Sequence, residues 1–260
     1  MKIYQFLDYV EQDRIAYLTL NRPDQHNALN NILIAELKDA IMRAEHESTV
    51  KVMVLKANGP SFCTGEDASY LRELQHASVD HNIGYAGELA ELMIRLYRST
   101  KVVIAQVEGN AMAGGCGLLT ACDFSFVVPE AKLGFNEVRI GSIPSMVIAF
   151  LLRKVGETRT KELLLSGNLI SASVAERYNL ITRIVPQEEI HQNVYNFGQQ
   201  LCHFNSGASM QLTKKMIADI HDFPLENSLK LAAKMHAHIR STEDFRQALT
   251  AYMNNQPVRW

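Results

Sequence analysis

The chain is short of the features that mark several protein classes. Its 260 residues include only four cysteines (Cys63, Cys116, Cys122 and Cys202), with no CxxC pair and no His/Cys metal spacing. Reduced thiols are therefore expected rather than a disulfide framework, and no metal site is expected. No run approaches the roughly twenty apolar residues needed to cross a bilayer. The first residues lack the apolar core of a signal segment, so the expected compartment is the cytoplasm and no membrane partner is expected. An excess of one charge is missing too: 26 Lys and Arg against 28 Asp and Glu leave a formal net charge of −2. That balance gives no encouragement to a nucleic-acid surface. Repeats and low-complexity tracts are also absent. What remains is an ordinary globular composition, 47% hydrophobic and 21% charged, in a chain long enough for one sizeable core.

Short apolar runs of strand length alternate with helical patterns over the first three quarters of the chain. Residues 3–10 and 15–20 read as a β-hairpin, with the polar residues 11–14 between them. Apolar residues at helical spacing predict a helix over 31–46. Buried-type strands are predicted at 52–55, 102–107 and 124–128, and a polar helical stretch at 68–98. From about residue 187 strand-like runs stop, and four helical patterns follow at 187–204, 208–221, 226–239 and 242–254. The fold class is α/β with strands buried on both faces. We divide the chain into an α/β core over 1–190 and a helical C-terminal region over 191–260.

Two segments share one grammar of strand, small-residue turn and helix. The first runs from Val52–Leu55 into Phe62-Cys63-Thr64-Gly65-Glu66-Asp67, the second from Val102–Val107 into Ala113-Gly114-Gly115. Glycine lets the backbone approach a ligand closely, and a helix beginning there leaves its first N–H groups unpaired. Two such turns face to face would offer two N–H donors to one developing oxyanion. The plainer alternative is that the glycines serve only tight turns and close packing. A dinucleotide fold is a further rival, since Gly115-Cys116-Gly117 follows a strand with Glu137 downstream. It fails at the third glycine position, which is Thr120.

At these residues the sequence resembles the enoyl-CoA hydratase/isomerase (crotonase) family. Leu20-Asn21-Arg22-Pro23 through Asn27-Ala28-Leu29-Asn30 is similar to that family's first signature, and Ser61 through Asp67 to its first oxyanion loop. Ala113-Gly114-Gly115-Cys116 with Cys122-Asp123 is similar to the second, while Gly167–Ala175 and Leu180-Ile181 fit a later helix and strand. The resemblance implies a spiral of repeated β-β-α units, followed by helices that assemble trimers or hexamers. It implies an enoyl thioester substrate carried on coenzyme A, or on the phosphopantetheine of an acyl carrier, and no tightly bound cofactor. It places the Glu66 and Gly114 N–H groups in the oxyanion hole. Gln25, Ala28, Cys63 and the loop Glu66, Asp67, Ala68 and Ser69 would lie along coenzyme A. The Glu66 side chain need not touch substrate, since the role belongs to its N–H.

Hydratases of the family present two glutamates to a water. The position of the first is Gly117 here; the second is retained as Glu137. A single carboxyl can still move a proton between two carbons, or manage water alone. The resemblance therefore leaves open a hydratase, a Δ3,Δ2-enoyl-CoA isomerase, and a dehydratase acting on a branched acyl-carrier thioester. A thioester-binding protein without turnover, and an RNA-binding relative, stay as readings of another class. The run Gly141–Ser145 through Lys154 most resembles the dehydratases of polyketide β-branching and related bacterial hydratases, and Met146, Val147, Ile148 and Phe150 are expected to make one pocket wall bulky and apolar. Asp67 is expected to cap the next helix and Asp123 to be structural. His26 is placed either against coenzyme A or as a plain loop residue. Arg153-Lys154 and Lys214-Lys215 are read as solvated pairs, and Met210, Leu212 and Met216 as packing or subunit seam.

Overall fold

The computed structural model describes residues 3–221, 223–258 and 260. Among them lie ten strands, ten α-helices and two short 3-10 helices. The strands are β1 (Leu7–Gln12), β2 (Ile15–Leu20), β3 (Val52–Ala57), β4 (Ser61–Cys63), β5 (Val102–Val107), β6 (Asn110–Met112), β7 (Phe124–Val127), β8 (Lys132–Gly134), β9 (Leu169–Ser171) and β10 (Arg183–Ile184). The helices are α1 (Asn31–His46), α2 (Ala68–Gln75), α3 (Val79–Arg98), α4 (Gly114–Ala121), α5 (Ser145–Ser166), α6 (Ala172–Arg177), α7 (Ile190–Phe204), α8 (Gly207–Ile220), α9 (Leu225–Arg240) and α10 (Glu243–Met253).

Two sheets result. The larger runs β1-β2-β3-β5-β7-β10 and the smaller β4-β6-β8-β9. In the larger sheet only the β1–β2 hairpin is antiparallel. The chain alternates between the sheets: β3 then β4, β5 then β6, β7 then β8, each pair followed by a helix. This is the spiral of β-β-α units expected above. All six residues of β5 are buried, and successive strand side chains face opposite ways, so the large sheet is covered on both faces. Ile15 of β2 lies against Gly198 of α7, where an added Cβ would stand 2.7 Å from its Cδ1.

The long strands and α1 fall within a few residues of their predicted bounds. The opening strand is shifted, from 3–10 to Leu7–Gln12. Asp13 and Arg14 (φ 51° and 69°) form a two-residue turn, whose positive φ values match the twist of a hairpin. Upstream, the Gln5 and Phe6 N–H groups donate to the Glu36 carboxylate of α1 (2.6 and 2.9 Å) and not to a strand. The stretch 68–98 is two helices, because Ser78 accepts the His81 N–H and starts a new one. The three-residue strands of the small sheet were invisible in the pattern, being too short to show a period of two.

Candidate active site

The first turn is fixed by side-chain hydrogen bonds. Asn27, fully buried with φ 55°, accepts the Arg22 N–H through Oδ1 and donates through Nδ2 to the Asn58 and Ser61 carbonyls, each at 2.8 Å. Leu29 then forms a parallel bridge with Glu66. The Leu29 N–H donates to the Gly65 carbonyl (2.7 Å) and the Asp67 N–H to the Leu29 carbonyl (2.8 Å). In such a bridge the middle residue's own N–H points away from its partner. The Glu66 N–H is thus turned outward, with no acceptor among the described residues.

The second turn is fixed by the smallness of its side chains. Ala113 sits at φ 48°, ψ −127°, a conformation that costs an L-residue free energy and recurs at functional sites. Gly114 opens α4, so its N–H lies among the unpaired donors of a helix start. All eight residues of α4 are buried. The two turns touch: a Cβ at Gly65 (φ 98°) would stand 2.7 Å from the Ala113 Cβ and 3.5 Å from the Gly114 nitrogen. A Cβ at Gly115 would come within 2.2 Å of the Cys63 carbonyl oxygen.

Glu66, Gly114 and Glu137 line one cavity of about 190 Å³. Glu137 begins the 3-10 helix Glu137–Ile140 just after β8. Its Oε2 is buried without a hydrogen-bond partner. Burial holds the Glu137 carboxyl above the usual carboxylate range, its own N–H opposes this, and the charge of Glu66 raises it further. Burial also raises Glu66, with the Tyr85 hydroxyl easing the shift. That hydroxyl lies beside the Glu66 carboxyl without reaching hydrogen-bond geometry and is itself buried without a partner.

The rest of the wall is mostly apolar: Leu89 and Met93 from α3, and Ile143, Met146 and Val147 around the start of α5. Met146 and Val147 line the cavity as expected. Ile148 is 40% exposed and Phe150 packs edge-to-face on Tyr97, so neither forms this wall. Helix α3 was expected within 68–98, but its place in this wall was not. Its signal was present, since Tyr85, Leu89, Leu92, Met93 and Leu96 recur at helical spacing and are the buried face of α3. Around Gly117 there is no room: a Cβ there would meet Met93 Cε at 2.5 Å and Val147 Cγ1 at 2.7 Å.

Apart from Glu66, the residues expected along coenzyme A do not line this cavity. Gln25, Ala68 and Ser69 are exposed and Ala28 is buried. Cys63 is fully buried, its thiol pushed up to about 12 by burial, so only its main chain adjoins the turn. Asp67 caps α2, accepting the Ser69 and Tyr70 N–H groups, and pairs with Arg22 at 2.5 Å. Burial alone would raise the Asp67 carboxyl, but the Ser69 hydroxyl, Arg22 and the two N–H groups bring it down to about 2. His26 is exposed, its Nδ1 3.4 Å from the Ser61 hydroxyl. Among the described residues no group of His, Cys, Asp and Glu could hold a metal ion.

Two lysines overturn the expectation of solvated pairs. Lys154 donates to the Thr120 and Cys122 carbonyls at the end of α4 (3.1 and 3.2 Å), and its buried ammonium is pushed below the usual range. Lys214 bonds the Leu96 and Lys101 carbonyls and pairs with Asp123 at 2.7 Å. A carbonyl-rich helix end attracts cations, which pattern alone did not reveal. Asp123 also accepts the Val103 N–H (2.7 Å), the structural role expected of it. These groups border a larger cavity of about 770 Å³ beneath α7 and α8. Its two lysines are spent on carbonyls and its aspartate is paired.

The sequence matches the family described as enoyl-CoA hydratase/isomerase over residues 10–260. A Thermus thermophilus protein assigned as an enoyl-CoA hydratase is 32% identical over 251 residues, covering 96% of this chain and 99% of its own. The crotonyl-CoA hydratase of Syntrophomonas wolfei is 27% identical, with 99% and 98% covered. The crystal structure of an enoyl-CoA hydratase from Shewanella pealeana superimposes with a TM-score of 0.93 at 25% identity, covering 98% of this chain and 96% of that one. With the twinned turns, the spiral and a match over nearly its whole length, the chain belongs to the enoyl-CoA hydratase/isomerase family.

Proposed function

We propose that the protein adds water to, or removes it from, an enoyl thioester, and shifts the double bond of such a thioester. In this reading the Glu66 and Gly114 N–H groups hold the thioester oxygen and Glu137 carries the carbon-bound proton. The observation that carries it is the buried, unpartnered Oε2 of Glu137 in the same cavity as both turns. As the oxygen gains charge, two fixed donors in a water-poor site stabilise it without reorganisation. A carboxyl held above its usual range by burial is matched to proton transfer near neutral pH. A cavity of about 190 Å³ is smaller than sites enclosing a drug-sized ligand, about 300–1,000 Å³. It therefore takes the reacting acyl end, while the carrier arm lies outside along Gln25, Ala28 and the Glu66–Ser69 loop. Coenzyme A and phosphopantetheine present the same arm there, and no tightly bound cofactor takes part.

A second reading, a double-bond isomerase alone, is favoured by Gly117, which stands in place of the family's first glutamate and packs on Met93 and Val147. We further propose that α8–α10 build a trimer or hexamer. Among their described residues only Ala218 is buried, while Ile217, Leu225, Leu229, Leu249, Tyr252 and Met253 are exposed, an apolar surface of the kind subunits cover. Since α7 covers the large sheet, the assembling part begins after it. No helix among the described residues is long and apolar enough to cross a membrane, and the four buried free thiols suit a reducing compartment such as the cytoplasm.

The test is Glu137→Gln, assayed with a short 2-enoyl-CoA and its 3-enoyl isomer in heavy water. Both hydration and isomerisation should fall about 10²–10⁴-fold. Normal turnover of either substrate by the variant would remove Glu137 from this role.

A further inference from the structure

The Glu66 side chain has no structural task that the fold reveals. Its N–H would serve equally well on an alanine, and among the described residues no cation pairs with its carboxylate. Burying a carboxylate without a partner costs free energy, so its place in the cavity calls for a chemical reason. Two observations supply one. Position 117 of α4 is glycine, packed against Met93 and Val147, so α4 brings no second carboxylate. Glu66 and Tyr85 line the cavity with Glu137, and the Glu66 carboxyl is near enough to Glu137 for its charge to act there. Tyr85 Oη and Glu137 Oε2 are each buried and unpartnered, which marks a place for a polar occupant, and a buried water needs two or more such partners.

We propose that the Glu66 carboxylate is the water-activating base of hydration, supplied from the first oxyanion turn, with Tyr85 holding the water beside it. This rests on the hydratase/isomerase reading above. Glu66 takes a proton from water as the water oxygen bonds to C3. The C2=C3 π pair moves into the enolate, whose oxygen is held by the Glu66 and Gly114 N–H groups. Protonated Glu137 then gives its proton to C2 as the enolate collapses. One proton passing from Glu66 to Glu137, directly or through solvent, resets the pair.

The division of labour follows the surroundings. The charge of Glu66 favours protonated Glu137, and the Tyr85 hydroxyl favours ionised Glu66. Two facing carboxylates sharing one proton are a stable arrangement. The other titratable groups around the pair stay neutral. Cys63 and Cys116 are pushed up to about 12 by burial, and Tyr85 and Tyr70 are raised from their ordinary value, burial first.

Glu66→Gln keeps the N–H and the shape while removing the base. It should lower hydration of a short 2-enoyl-CoA about 10²–10⁴-fold. Conversion of the 3-enoyl isomer, with deuterium entering at C4, should fall by less than about tenfold, since it needs only Glu137. The acid limb of the hydration pH profile should vanish in the variant, and Glu66→Asp should restore part of the rate. Hydration within about tenfold of the unaltered enzyme would overturn the proposal. So would an equal loss of both reactions, or an unaltered enzyme that isomerises without hydrating. Glu137→Gln run alongside separates the two ideas: full activity there removes the underlying reading as well, whereas the Glu66 outcomes bear on this proposal alone.

Discussion

The two glycine-bearing turns share one sequence grammar and are held by opposite means. The first, around Gly65, Glu66 and Asp67, hangs on side-chain hydrogen bonds from Asn27 and on the Arg22–Asp67 pair. The second, around Ala113, Gly114 and Gly115, depends on the absence of side chains, so that α4 can press against Cys63 and Gly65. The difference shows where chemistry can be added. A turn held by hydrogen bonds can carry an ionisable residue such as Glu66 into the cavity. The contact-held turn leads instead into α4, where Gly117 packs on Met93 and Val147 and supplies no carboxylate.

The largest effect on this comparison should come from the contact-held turn. Gly115→Ala would drive a Cβ to 2.2 Å from the Cys63 carbonyl oxygen, a backbone atom that cannot rotate away. A loss of at least about 3 kcal/mol is expected, at the upper end of overpacking costs. Gly117→Ala meets only the ends of Met93 and Val147, so it should cost less, about 1–2 kcal/mol. Urea midpoints for the two variants check the order. Equal costs would mean that α4 is free to shift and that contact does not fix the second turn.

The hydrogen-bonded turn should give way more gently. Asn27→Ala leaves the Asn58 and Ser61 carbonyls and the Arg22 N–H without their partner. Orphaned buried polar groups cost about 1–3 kcal/mol each, and water entering from the nearby surface offsets part, so about 2 kcal/mol overall is expected. The same variant should lose turnover beyond its loss of stability, because Leu29 would no longer hold Glu66 in its bridge. A variant with lowered melting temperature and unchanged kcat would show that the bridge is set by other contacts.

Much of this frame was legible in the sequence, and the illegible part has physical causes. Long buried strands and the amphipathic α1 declare themselves through periodicity. Glu66, Gly114 and Glu137 were found through motif order, and the structure brings them to one cavity. The small sheet was hidden because three residues carry no period. Lys154 and Lys214 looked solvated because sequence shows charge but not the carbonyl ends that gather it. The Glu66 side chain was set aside because its N–H already had a role. Only the packing of Met93 and Val147 around Gly117, a contact between distant segments, shows why a carboxylate from the first turn matters.

The smallest expected effect distinguishes the turns by acid. The Asp67 carboxyl stands at about 2, below its ordinary 3.8. Its contribution to stability is therefore complete above about pH 4 and is lost as pH falls toward 2. After allowance for screening we expect about 1 kcal/mol. The second turn has no comparable group, since Ala113, Gly114 and Gly115 do not titrate and the Cys116 thiol, at about 12, is neutral throughout that range. Amide exchange tests this directly. Between pH 4 and 2 the Ser69 and Tyr70 N–H groups, which donate to Asp67, should lose protection relative to the Gly117 N–H, which donates to the Ala113 carbonyl. Parallel loss at all three sites would mean that acid loosens the spiral as a whole. Loss confined to the first two would show that the turn bringing charge to the cavity is also the one made sensitive to protons.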